Sequence, residues 1–61
     1  MVSKEDYLKI ANEAATLERT GNFKPAGEKW LEAQDRATTK VDVLWCETRA
    51  SVCKHRAEKN R

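Results

Sequence analysis

Apolar residues recur along this chain at intervals of three and four, the period of a helix face. In the first third, Tyr7, Ile10, Ala11, Ala14 and Leu17, with Glu18 at the edge, fall on one side, while Lys9, Glu13, Thr16 and Thr20 fall opposite. The spacing predicts a first helix over about 3–20. Ser3 is placed to cap its first turn, and Asp6 sits three residues later, near the positive end of the helix dipole. Gly21 follows, where a helix end calls for a positive φ. Asn22 is a candidate N-cap for the next helix, and Pro25 lies in a first turn that tolerates its missing N–H. Phe23, Ala26, Trp30, Ala33 and Ala37 make the second stripe, which fades at Thr38-Thr39. The second helix is placed at about 23–37. Thr39 and Asp42 repeat the cap-and-acid signal. Val41, Trp45, Arg49, Val52, Cys53 and Arg56 share a face of a third helix, over about 40–58. Apolar and polar residues nowhere alternate for long, so no strand is expected.

Two helices joined by so tight a turn must bury their facing stripes. Small side chains belong where they cross, and Ala14 and Ala26 are placed there, with Ile10, Leu17, Phe23 and Trp30 filling the wider space on either side. The expected core is Tyr7, Ile10, Ala14, Leu17, Phe23, Ala26, Trp30, Ala33, Val52 and Cys53. The fold class is therefore all-α: one three-helix domain over 1–61, fraying at a basic C-terminal end around 58–61.

Composition bounds this picture more than it changes it. The chain has 61 residues, 36% of them charged and 39% hydrophobic. That balance suits a globule, and so short a chain buries only about 60% of its unfolded surface. No apolar run nears the roughly 18 residues of a membrane span. The polar start, Met1 to Asp6, does not read as a signal peptide. A cytoplasmic location and no membrane partner are expected. The net charge of +2 is uneven: residues 1–20 sum to −1, 21–40 to +1 and 41–61 to +2. A basic final turn complements a helix dipole, and a nucleic-acid footprint would be denser.

Candidate chemistry is sparse. Cys46 and Cys53 lie two turns apart on one helix face, roughly 10 Å between Cα atoms at 1.5 Å per residue. A disulfide needs less than about 7 Å, so two buried or half-buried free thiols are expected. His55 adds a third potential ligand, but the spacing fits no zinc signature. No catalytic nucleophile–base pair and no Gly-rich phosphate loop stand out. A chain this size also leaves little room for a concave pocket of a few hundred cubic ångströms. No enzyme, cofactor or metal is expected.

Gly21 is followed at offsets of two, five, nine and twelve by Phe23, Ala26, Trp30 and Ala33. This resembles the hairpin of a tetratricopeptide repeat, with Ala14 and Leu17 at the small and large positions of its first helix. Only one hairpin is present, and the third helix resembles the first helix of a next repeat. The longer stretch "AATLERTGNFKPAGEKWLEA", followed by "WCETRASVC", is similar to the AraC negative regulator (ANR) family of small bacterial regulators. The shared outline runs through an alanine pair, Glu18-Arg19, Gly21, Phe23, Ala26, Trp30 and Ala33 to Trp45, Arg49 and Cys53. PerC-like activators share the hairpin; the Trp45–Arg49–Cys53 triplet favours the ANR family. Gly27, where alanine is usual, departs from it. The resemblance implies direct binding to an AraC/XylS-type transcription activator, inhibition of its dimerisation or DNA binding, and restraint of virulence genes. It implies no cofactor and no reaction.

The resemblance carries over a role and not a binding surface, because most matching positions are ones the fold requires. Trp45 reads as core or as a partner anchor, since tryptophan is enriched in binding hot spots. Arg49 reads as an ion-pair partner of Glu18 or Glu28, or as a charge aimed at a partner. Leu8, Leu31 and Leu44 lie off the main stripes. They either widen the core or join a patch for a protein partner or a homodimer seam. The candidate partner-binding residues are thus Leu8, Leu31, Leu44, Trp45 and Arg49. The alternative is a small DNA-binding or PerC-like regulator using Lys54, Arg56, Lys59 and Arg61 on phosphate. Direct nucleic-acid binding is not the expected mode, because no helix shows base-reading side chains in a helix-turn-helix arrangement.

Overall fold

A computed structural model describes residues 4–59. Three helices follow in order: α1, Lys4–Arg19; α2, Phe23–Arg36; and α3, Lys40–Lys59. The described residues contain no strand. The expected helices are all present, with ends shifted by a residue or so; α3 includes Glu58 and Lys59. Ser3 and its capping role lie outside the described residues, as does Arg61.

The α1–α2 turn is set by backbone chemistry. Gly21 takes φ 87°. Its N–H donates to the Glu18 carbonyl at 3.1 Å, and the Asn22 N–H reaches the Leu17 carbonyl at 2.8 Å. This is the paired closure of a Schellman motif. A Cβ on Gly21 would meet nothing within 4 Å, so the glycine is required by its dihedral angle and not by crowding. Asn22 occupies the N-cap position, but its side chain does not cap α2. It donates instead to Thr20 Oγ1 at 2.9 Å. The reason is local: Asn22 also ends the Schellman closure, with φ −87° and ψ 68°, outside the usual capping geometry. Thr39 does cap α3, accepting the Asp42 N–H on Oγ1 at 3.1 Å.

α2 is the central element, packed on α1 along one flank and on α3 along the other. The core comprises Tyr7, Ile10 and Ala14 of α1, Ala26, Trp30 and Ala33 of α2, and Cys46, Ala50 and Cys53 of α3. Ala14, Ala26 and Ala33 are fully buried, as expected of small residues where helix axes approach. Trp30 supplies the largest apolar surface, worth about 4–6 kcal/mol at 25 cal/mol/Å² for a side chain of its size.

Three core expectations are corrected. Leu17 is partly buried against the core edge, while Phe23 and Val52 are half-buried and lie outside the cluster. The inward face of α3 is not the one led by Val41 and Trp45. Val41 is 75% exposed and Trp45 54% exposed. The helix is turned so that Cys46, Ala50 and Cys53, spaced four and three apart, face inward. These small side chains let α3 close on α2: a Cβ built on Gly27 would lie 3.4 Å from Cys53 Cβ and 3.7 Å from the Ala50 carbonyl oxygen. A tryptophan facing inward at that level would hold the helices apart.

Candidate protein-interaction face

Glu18 ends α1 with its side chain directed across both neighbours. Its Oε1 accepts the indole N–H of Trp30 at 3.1 Å, the Nε–H of Arg49 at 3.3 Å and the thiol of Cys53 at 3.5 Å. Its Oε2 is ion-paired with Arg49 Nη2. One carboxylate thus ties α1 to α2 and α3. The Glu18 side chain is 16% exposed and that of Arg49 27%. A charge pair removed this far from water needs its remaining polar atoms satisfied, and among the described residues no buried side-chain nitrogen or oxygen lacks a partner. The Glu18–Arg49 pair expected from the sequence is present. The alternative partner, Glu28, lines a groove between α2 and α3 that does not include Arg49.

Arg49 is fixed by this carboxylate and lies over the Trp45 ring, 5.8 Å from its centroid. Arg56 covers Phe23 in the same way at 5.6 Å. These contacts fall within cation–π range. Glu18, Trp30, Trp45, Arg49, Phe23 and Arg56 line one shallow concavity. Trp45 stands at its edge with more than half its surface in water.

The cysteines are free and buried, as expected. The Cys46 thiol donates to the Tyr7 hydroxyl at 3.6 Å, so each thiol joins α3 to α1. Burial raises both thiol pKa values above the ordinary range. For Cys46 the bond to Tyr7 pulls the other way, and for Cys53 the charges of Arg49 and Arg56 do so. The Tyr7 phenol is raised as well, by burial first and then by Cys46. Neutral, buried thiols are poor nucleophiles. The described residues hold no group of three or more His, Cys, Asp or Glu able to bind a metal, and no helix is long and apolar enough to cross a membrane.

Leu8, Leu31, Leu44 and Trp45 are all exposed, and Arg49 is half-buried. The structure does not gather them into one patch. Trp45 and Arg49 belong to the Glu18 concavity. Leu31 lines the α2–α3 groove, and Leu44 sits on the α3 ridge that runs through Glu47, Ser51 and Lys54 beside it. Leu8 lines neither. The basic residues are dispersed too. Lys54 is in the groove, Arg56 is two residues on, about 200° round the helix, against Phe23, and Lys59 is exposed.

The expectation that so short a chain has little room for a concavity is corrected. An open groove of about 850 Å³ runs between α2 and α3, because no element of the described chain covers the side of α2 and α3 that α1 leaves open. Sequence reasoning also missed the bonds from Trp30 and Cys53 to Glu18. The only available signal was Glu18 at the edge of the first apolar stripe, where an acid is out of place unless paired. No family model, curated protein or solved structure matches the chain.

Proposed function

We propose that this chain is a small protein-binding regulator that docks on an AraC/XylS-type transcription activator and prevents its dimerisation or DNA binding, so restraining virulence genes. The sequence outline from Ala14 to Cys53 supports the class of partner. The observation that carries a docking role is Trp45: a tryptophan 54% exposed on a 61-residue chain, with its ring beside an arginine that a half-buried carboxylate holds still. Tryptophan and arginine lead the side chains that anchor interfaces. An anchor already fixed in place loses little freedom on binding. Leu8 supplies a second exposed apolar contact away from the concavity.

The test uses purified AraC/XylS-type virulence activators, each bound to a fluorescent fragment of its own promoter. Adding the chain should release the DNA at near-stoichiometric amounts, and Trp45→Ala should weaken that release about 10- to 100-fold with an unchanged melting temperature. Two results refute the reading. One is no release from any activator. The other is direct binding of the chain to promoter DNA with a steep salt dependence, which would transfer the role to the basic residues Lys54, Arg56 and Lys59.

A further inference from the structure

The concavity that holds Trp45 carries a charge imbalance that the fold leaves open. Among its lining residues one is an acid, Glu18, and three are arginines, Arg19, Arg49 and Arg56. Two positive charges are in excess there. The whole chain has a net charge of +2, so all its other residues together sum to zero. Glu18 is committed to Arg49. Arg19 and Arg56 are exposed, and neither enters an ion pair among the described residues.

The two free cations share one end of the hollow. α1 closes at Arg19, four residues before Phe23, and Arg56 lies over the Phe23 ring at 5.6 Å. Trp45 precedes Arg56 by eleven residues on α3, about 16 Å at 1.5 Å per residue. Arg49 lines the hollow between them, already neutralised by Glu18. One end therefore presents an exposed indole and the other two unpaired guanidinium groups. A guanidinium matches a carboxylate through two parallel hydrogen bonds, and an indole face takes an apolar or aromatic side chain. A phosphate backbone is tracked by a continuous row of free cations, and the Glu18–Arg49 pair interrupts this one.

We infer that the concavity receives an acidic segment of a partner protein, with a carboxylate of that segment on Arg19 and Arg56 and an apolar side chain against Trp45. The segment lies along α3, because its two anchoring points are at opposite ends of the hollow. A carboxylate placed there relieves the repulsion between two like charges and supplies the complementary sign that steers association. The inference rests on the docking role given to Trp45 above and not on which protein carries the segment.

The test selects random 16-residue peptides, displayed on phage, against the immobilised full chain. Recovered peptides are then synthesised with a fluorescent label and titrated by anisotropy. Their sequences should combine aspartate or glutamate with at least one apolar residue, and binding should weaken as salt is raised. Arg19→Glu and Arg56→Glu should each weaken binding about tenfold, and Arg19→Gln and Arg56→Gln about threefold. A peptide with its acid changed to lysine should bind Arg56→Glu to within about threefold of the original pair. Circular dichroism verifies that each variant keeps its helices; should a reversal unfold the chain, the glutamine variants decide. Recovery of no peptide, of peptides without acids, or of peptides indifferent to both arginines would overturn the inference. So would tighter binding of a labelled oligothymidylate, which would assign the hollow to single-stranded nucleic acid. The two proposals fail separately. Acid-dependent peptide binding by a chain that frees no activator from DNA refutes the proposed function alone and supports this inference. Activator release unchanged by Arg19→Gln and Arg56→Gln overturns this inference and leaves the proposed function standing.

Discussion

Glu18→Ala is the most informative single change, because one side chain serves three helices. The substitution leaves the Trp30 indole N–H without an acceptor in a site only 4% exposed. A buried donor left unsatisfied costs about 1–3 kcal/mol. It also strands the Arg49 guanidinium. Breaking a fully buried pair costs about 3–5 kcal/mol, but Arg49 is 27% exposed and can turn towards water, so about 1 kcal/mol is the reasonable share. The total is about 2–4 kcal/mol, against a stability of about 3–9 kcal/mol for a chain of this length. Thermal unfolding followed by far-ultraviolet circular dichroism should show a midpoint lowered by about 10–25 °C. Glu18→Gln retains an oxygen that can accept the indole N–H and loses only the charge, so its cost should be about 1–2 kcal/mol. With Arg49→Met added, a double-mutant cycle should return a coupling of about 1 kcal/mol. If Glu18→Ala changed stability by no more than about 0.5 kcal/mol, the usual range for a surface substitution, the carboxylate would not be the junction described.

Two further outcomes follow from the packing and the thiols. Gly27→Ala gains about 1 kcal/mol of helix propensity, and its Cβ would meet Cys53 Cβ at 3.4 Å, an ordinary contact. The melting temperature should rise by a few degrees, whereas Gly27→Leu should lower it; a fall with alanine would mean that α2 and α3 lie closer than described. Folding raises the proton affinity of Cys46, Cys53 and Tyr7. The unfolded chain therefore sheds these protons first. Their contribution to stability is intact below pH 9.0, the ordinary thiol value, and declines above it by up to about 1.4 kcal/mol per pH unit for each thiol. Urea titrations across alkaline pH measure this, and a flat profile would place the thiols in contact with water.

The three helices, the glycine turn and the Thr39 cap could be read along the chain because each depends on neighbours within about four residues. Periodicity fixes a helix face, a positive φ asks for glycine, and a hydroxyl before an apolar run caps the helix. The facing stripes of α1 and α2 were equally plain, since Ala14, Ala26, Trp30 and Ala33 recur on one side with little competition. The candidate site was legible only as a set of residues. Arg49 suggested a pair with an acid, but two acids were open, and nothing local could show that Glu18 also takes the Trp30 and Cys53 hydrogens.

The rotation of α3 was beyond such reading. Its apolar residues lie all round the helix, so Val41 with Trp45, or Cys46 with Ala50 and Cys53, could each have faced inward. Packing resolved the choice. Only the small set lets α3 approach Gly27 while Glu18 reaches Arg49, and the larger side chains are left in water. Sequence order therefore settled which segments coil and where they turn, while the fit of three helices against one another settled which side of the last one faces outward. Helix formation is a short-range matter of hydrogen bonds and side-chain spacing; the choice of face depends on volumes and charges contributed by residues more than thirty positions apart.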